Sequence, residues 1–170
     1  GLRVASEPLA NSLSRFPDYY RTCMREIGAP DFYLFSDAYF EELSRLPDAR
    51  VLSVFRDEER LAMGLFLFGP KQAEYHLSGT AQAGRRSGAT NLLLHAAAQA
   101  AQSSGCLLLY LGGGTTALPD DPLLRFKASF SGSRLTFHVG HRIHDPAAYA
   151  QLREGAPGAA ASDRVLSYRR

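Results

Sequence analysis

Between Arg50 and Gly113 the sequence changes its hydrophobic period twice, and this constrains the fold more than any other feature of the chain. Three runs, RVLSVFR (50–56), RLAMGLFLF (60–68) and AEYHLSG (73–79), are rich in β-branched and aromatic residues. Two short turns, Asp57-Glu58-Glu59 and Gly69-Pro70-Lys71, separate them. That pattern predicts a three-stranded antiparallel meander. A polar loop follows, then an alanine- and leucine-rich stretch whose spacing predicts a helix from about Thr90 to Ser104, stopped by Gly105. Its alanines at 96, 97, 100 and 101 allow close packing on a sheet. CLLLYLGG (106–113) is apolar throughout, which predicts a central strand buried on both faces. Strand, helix and strand form a βαβ unit, right-handed by rule. The expected class is therefore α/β with a mixed sheet: antiparallel first, parallel at the end.

Helices flank this frame. Tyr20, Cys23, Met24 and Ile27 have helical spacing between Pro17 and Gly28. Ser36 is placed to cap a second helix that turns Phe40, Leu43 and Leu46 inward and ends at Pro47. DDPLLRFKASF (120–130) predicts a short helix with Asp120 or Asp121 as cap and Pro122 in its first turn. RLTFHVG (134–140) alternates Leu135, Phe137 and Val139, the pattern of a half-buried strand. Residues 1–15 are polar and weakly patterned. One domain is expected over 1–150. A linker-like tail with a basic end, RVLSYRR, is expected over 151–170.

A chain of 170 residues suffices for a real core, and its formal net charge of +2 is no broad nucleic-acid footprint. Cys23 and Cys106 lie among apolar neighbours and are expected as buried free thiols, not a disulfide. No apolar run reaches the length of a membrane span, so the cytoplasm is the expected compartment. His138, His141 and His144 have H-x-x-H-x-x-H spacing, but a strand sends i and i+3 to opposite faces, and no metal is expected.

The loop before the long helix, Arg85-Arg86-Ser87-Gly88-Ala89-Thr90, has the makings of an anion site, because the first turn of a helix leaves N–H groups unpaired and its dipole favours negative charge. The alternative is a capped helix preceded by solvated arginines. Tyr75 and His76 alternate on the strand before this loop, so they face opposite sides. Gly112-Gly113-Gly114 opens the chain at the end of the apolar strand, where ligands often bind in open sheets. Tyr33 or Tyr39, in an aromatic-rich segment, is a candidate edge of a substrate groove.

This order of elements resembles the GNAT acyltransferase fold. In that family the loop before the long helix holds the pyrophosphate of an acyl-CoA through the pattern Q/R-x-x-G-x-G/A; here Arg85 and Gly88 match, and Thr90 replaces the last small residue. DFYLFSDAYFEELSRL, AEYHLSGT, TNLLLHAAAQAAQSSGC, LYLGGG and LLRFKASFSG, in this order, resemble the second domain of the Fem-type twin-GNAT proteins. These include the tRNA-dependent enzymes that build peptidoglycan cross-bridges and FemAB-like acetyltransferases of polysaccharide loci. The resemblance covers most of residues 15–140. It implies N-acyl transfer to an amine of a cell-envelope or polysaccharide precursor, with acyl-CoA (acetyl-CoA) or aminoacyl-tRNA as donor; nucleic acid enters only with the tRNA donor. It implies Lys127 and Tyr75 as catalytic residues. Arg85, Arg86, Ser87, Gly88, Ala89, Thr90 and Asn91 would hold the donor, and Phe126, Gly112, Gly113 and Tyr33 would line the substrate site. The GLRV start resembles the segment linking the two halves of such proteins, so a second GNAT-like domain or a homodimer is an expected partner. The alternative function is a non-catalytic half that binds or scaffolds.

Overall fold

The computed structural model describes residues 1–116, 118, 120–136, 138 and 140–156. The chain divides into two compact units, Gly1–Ser131 and Gly132–Arg170.

The first unit is built on a five-stranded sheet in the order β1-β2-β3-β4-β5. The strands are β1 (Leu2–Pro8), β2 (Ala49–Arg56), β3 (Glu59–Phe68), β4 (Gln72–Thr80) and β5 (Leu108–Tyr110). Pairing is antiparallel from β1 to β4, and β5 runs parallel to β4. The meander thus forms as its period and turns require. β1 was not foreseen: its clear signal is only two residues, Leu2 and Val4, which pack from one edge onto the core beneath the sheet.

Helices cover both faces. On one lies α3 (Ala89–Ser103), whose Leu93, Leu94 and Ala97 are buried against Leu52, Val54 and Phe66. On the other lie α1 (Phe16–Glu26) and α2 (Asp37–Ser44), which bury Phe16, Tyr20 and Phe40 against Val51, Met63 and Leu65. Ser36 caps α2 by accepting from the Tyr39 amide, as its sequence position suggested. Leu46 lies past the end of α2 and is exposed, contrary to its expected inward face.

The central strand is β3, in which every residue from Leu61 to Phe66 is buried. The apolar run at 106–113 is therefore not central. Among the described residues β5 is an edge strand of three residues, and Leu107 is 86% exposed. An uninterrupted apolar run implies burial on both faces only where a neighbour exists on both sides; here Leu109 and Leu111 pack toward α3 while Leu107 and Leu108 face outward. Both cysteines are buried and unpaired.

α4 (Pro122–Ala128) completes this unit, with Asp121 as its cap. In the second unit α5 (Pro146–Glu154) is capped by Asp145, which accepts from the amides of Ala147 and Ala148. α5 runs across residue 150, where the tail was expected to begin. Of the strand expected over 134–140, Phe137 and Val139 lie outside the described residues, and the described ones form no strand. The basic end of the tail also lies outside them.

Candidate active site

β4 and β5 pair only at Gln72↔Leu108, Ala73↔Leu109 and Glu74↔Tyr110. β4 then continues to Thr80, while the β5 chain turns off through Gly112, whose φ of +73° suits glycine. The parallel strands therefore fork after Glu74 and Tyr110. From Tyr75 onward this edge of β4 has no strand beside it among the described residues.

One end of the fork is the β4–α3 loop. Gly84 lies so close to β3 that a β-carbon there would sit 2.3 Å from the Leu61 carbonyl oxygen. Ser87 Oγ donates to the Gly84 carbonyl at 2.8 Å. Gly88 is the N-cap of α3 at φ +74°, and no side chain caps the helix. The first intrahelical donor is the Leu92 amide, bonded to the Gly88 carbonyl at 3.0 Å, so the amides of Ala89, Thr90 and Asn91 are left to the loop. Thr90 does not crowd this turn: its hydroxyl lies 2.8 Å from that of Thr80 and ties the helix to the end of β4. Asn91 sits exposed in the first turn and is not the cap.

The two arginines have different surroundings. Arg85 Nη2 is 2.9 Å from Glu26 Oε2 on α1, an ion pair that anchors the loop. Arg86 is exposed and has no ion pair among the described residues. Tyr19 of α1 also reaches the loop, its hydroxyl accepting from the Ala81 amide at 3.2 Å. Neither α1 contact was legible in the sequence, because each joins residues about sixty positions apart.

The other wall of the fork is the Gly112–Thr116 loop and α4. Lys127 Nζ donates to the Gly113 carbonyl at 2.8 Å and lies 5.7 Å from the centre of the Tyr75 ring. The fold thus gathers Lys127, Tyr75, Gly112 and Gly113 at one place. Burial lowers the Lys127 ammonium from its ordinary value, with the Asp121 charge opposing this. Burial raises the Tyr75 phenol, whose hydroxyl is bonded to Ser78 Oγ. Phe126 is half-buried against the α3-side core and meets Phe130 edge-on at 5.3 Å. Tyr33 is not brought to the fork by any contact among the described residues; it lies in a one-turn helix against Phe32, 5.4 Å away.

Asp121 does more than cap α4. Its Oδ2 accepts from the amides and hydroxyls of Thr115 and Thr116, and its Oδ1 accepts from the Leu124 amide at 2.9 Å. A β-carbon on Gly114 would sit 2.4 Å from Asp121 Oδ1, so glycine there allows the approach. The Thr115 hydroxyl, then the Leu124 amide, hold the carboxyl well below the usual carboxylate range. A carboxyl depressed by folding contributes stability above its unfolded value, near pH 4, and that contribution is lost as pH falls toward the folded value. Amide exchange at Thr115 and Thr116 is expected to remain slow at about pH 4 and to quicken only in stronger acid. In Asp121→Ala the same amides are expected to exchange fast at neutral pH.

A sheet splayed between parallel strands, with a glycine-containing turn opening a long helix at the fork, defines the class: an acyltransferase-type α/β domain. Residues 2–128 match the acetyltransferase (GNAT) domain family, and the chain belongs to it. No curated protein matches the sequence. Solved structures share the fold at low identity. An aminoglycoside acetyltransferase from an uncultured soil metagenomic sample is similar with a TM-score of 0.64 at 14% identity, over 84% of this chain and 99% of that one. A ribosomal-protein-alanine N-acetyltransferase from Brucella melitensis biovar Abortus 2308 is similar with a TM-score of 0.61 at 16% identity, over 84% and 99%. An aminoglycoside N-acetyltransferase in complex with CoA is similar with a TM-score of 0.55 at 13% identity, over 85% and 96%.

GNAT acetyltransferases use acetyl-CoA, and the residues at the fork fit such a donor. Nothing lies within 4 Å of where a β-carbon on Gly88 would sit, at the turn that leads into three helix-start amides, and the exposed Arg86 stands two positions before it in sequence. That donor set suits a phosphate, and the unpaired edge of β4 suits an extended amide-bearing arm. Among the described residues no three His, Cys, Asp or Glu side chains come together as a metal site, and no helix is long and apolar enough to cross a membrane.

Proposed function

We propose that this domain transfers an acyl group from a coenzyme A thioester to a primary amine on a cell-envelope or polysaccharide precursor. The observation that carries the reading is the fork itself, with an open helix-start cradle at one end and Lys127 beside Tyr75 at the other. The order of Fem-like motifs along the chain supports the class of acceptor. The donor supplies the activated acyl carbonyl. Ala89, Thr90, Asn91 and Arg86 hold its phosphates, while Arg85, paired with Glu26, fixes the loop that presents them. Lys127 places a cation where negative charge develops on the carbonyl oxygen. Tyr75, kept protonated by its burial, gives a proton to the departing thiolate. Phe126 and the Gly112–Gly113 backbone wall the channel. An aminoacyl-tRNA is the alternative donor.

The test is calorimetric. The wild-type domain is expected to bind acetyl-CoA, and Gly88→Val to lose that affinity at least about tenfold while staying folded, since a β-carbon held at φ +74° costs only about 1–3 kcal/mol. Equal binding by wild type and variant would count against the cradle. No binding at millimolar ligand would favour a tRNA donor or the non-catalytic alternative.

A further inference from the structure

We propose that Tyr39, His76 and Glu74 form a proton relay that removes the proton from the acceptor amine. This rests on the acyl-transfer reading above and adds the base which that reading needs.

The relay exists because β4 carries a bulge. Leu65 pairs with Leu77 and Phe66 with Tyr75, so His76 is the extra residue. Tyr75 packs toward α3, whereas Tyr39 belongs to the core under α1 and α2, so His76 reaches the face opposite Tyr75. There His76 Nε2 lies 2.6 Å from the Tyr39 hydroxyl, with the rings roughly parallel at 6.2 Å. On its other side, His76 Nδ1 is 3.5 Å from Glu74 Oε1. Phe35 stacks on Tyr39 at 4.3 Å and Phe40 meets it edge-on at 5.5 Å, which fixes the phenol. Glu74 is the last residue of β4 to pair with β5. The three groups therefore stand at the fork, on the face away from Tyr75.

An amine is protonated near neutral pH and attacks only after losing a proton. In the relay, the N–H bond of the acceptor ammonium breaks as a new O–H bond forms on Tyr39. The former Tyr39 proton passes to His76 Nε2, and the Glu74 carboxylate faces the resulting imidazolium. One proton leaves the amine and one arrives on His76, so charge and atoms balance. Burial, then the Glu74 charge, raise the Tyr39 phenol, so the hydroxyl passes the proton on and does not persist as phenolate. Arg21 of α1 is committed to Asp18, Asp37 and the Phe35 carbonyl, and among the described residues Glu74 is the charged side chain recorded against His76. Placing the base on one face and the Tyr75 acid on the other keeps the two proton transfers from competing. In these terms Tyr39 is catalytic, and His76 and Glu74 are positioning residues that act through it.

The experiment combines kinetics with nitrogen-15 spectroscopy of the imidazole, its signal assigned by H76Q. Acetyl-CoA is offered with an amino sugar, an alkyl diamine and a peptide α-amine. Y39F and H76Q are expected to lower kcat on the order of 10²-fold, with KM for acetyl-CoA unchanged. E74Q is expected to lower kcat as well, again with KM for acetyl-CoA unchanged. In the wild type Nδ1 is expected to carry the proton of neutral His76, with Nε2 accepting from Tyr39. Turnover that survives Y39F and H76Q, or a neutral His76 protonated on Nε2, overturns the relay alone. A wild type that binds acetyl-CoA but acylates none of the three amines overturns the acyl-transfer reading and the relay with it.

Discussion

Lys127→Ala is expected to slow acyl transfer by about 10²–10³-fold while acetyl-CoA affinity stays within a few fold of wild type. Removing one preorganised donor from a developing oxyanion typically costs this much, because the lost interaction is stronger in the transition state than in the bound substrate. The geometry makes Lys127 a strong candidate. Its ammonium is half-buried and tethered to the Gly113 carbonyl beside the Tyr75 ring, so it spends little on reorganisation when charge appears. Stability should fall by only about 1 kcal/mol, the net value of one hydrogen bond. Lys127→Met keeps most of the stem and should show the same kinetic defect, which separates charge from packing. Phe126→Ala is the contrasting case. Its ring is half-buried against Phe130 and the α3-side core, so the main loss should be about 2 kcal/mol of stability, below the full cost of a buried ring. Kinetics and thermal denaturation on the three variants check the pattern. Wild-type rates in both Lys127 variants would leave the lysine as a loop clamp alone.

Gly84→Ala is expected to cost about 3 kcal/mol of stability and to weaken acetyl-CoA binding together with it. The added carbon would sit 2.3 Å from the Leu61 carbonyl oxygen and 3.0 Å from the Thr80 methyl, so backbone must move. The movement falls on the segment that leads to Gly88, between the Ala81 amide held by Tyr19 and the Arg85 side chain held by Glu26. Gly84→Ala and Gly88→Val therefore separate two roles inside one loop. The first position serves packing on β3 and reaches the ligand only through it; the second is open space that a ligand would fill. Chemical denaturation alongside calorimetry distinguishes them, and a Gly84→Ala protein of wild-type stability would contradict the close approach.

Much of the frame was legible because period and turn chemistry agree over β2, β3 and β4, and because Ser36, Asp121 and Gly105 punctuate their helices. Legibility failed where burial depends on what lies next door. The leucines of 106–111 read as central, yet only an observed neighbour decides that, and β3 holds that place. β1 carries only two large apolar residues in seven, Leu2 and Val4, too few for a pattern to rise above chance. At the fork, the resemblance singled out the loop, Lys127 and Tyr75, and the fold sets Lys127 beside the Tyr75 ring. The Arg85–Glu26 pair, the reach of Asp121 to Thr115 and Thr116, and the His76 bulge were not legible. Each depends on a register or approach that side-chain chemistry alone does not encode, and Tyr33 shows the converse: a plausible residue type in the right segment, with no contact to the fork.

The three-residue pairing of β4 with β5 also bears on how the domain assembles. β1 to β4 add as antiparallel neighbours, and the β2–β3 and β3–β4 hairpins close through short turns. The β4–β5 pair closes only after α3 has crossed over, a loop of nearly thirty residues joined by few hydrogen bonds. With three paired residues it is the most weakly tied pair in the sheet and is expected to open first. The fork is thus a weakly protected unit on a firmly paired meander. A donor lying between the strands would supply the contacts that the sheet itself lacks there, so occupancy and local order rise together.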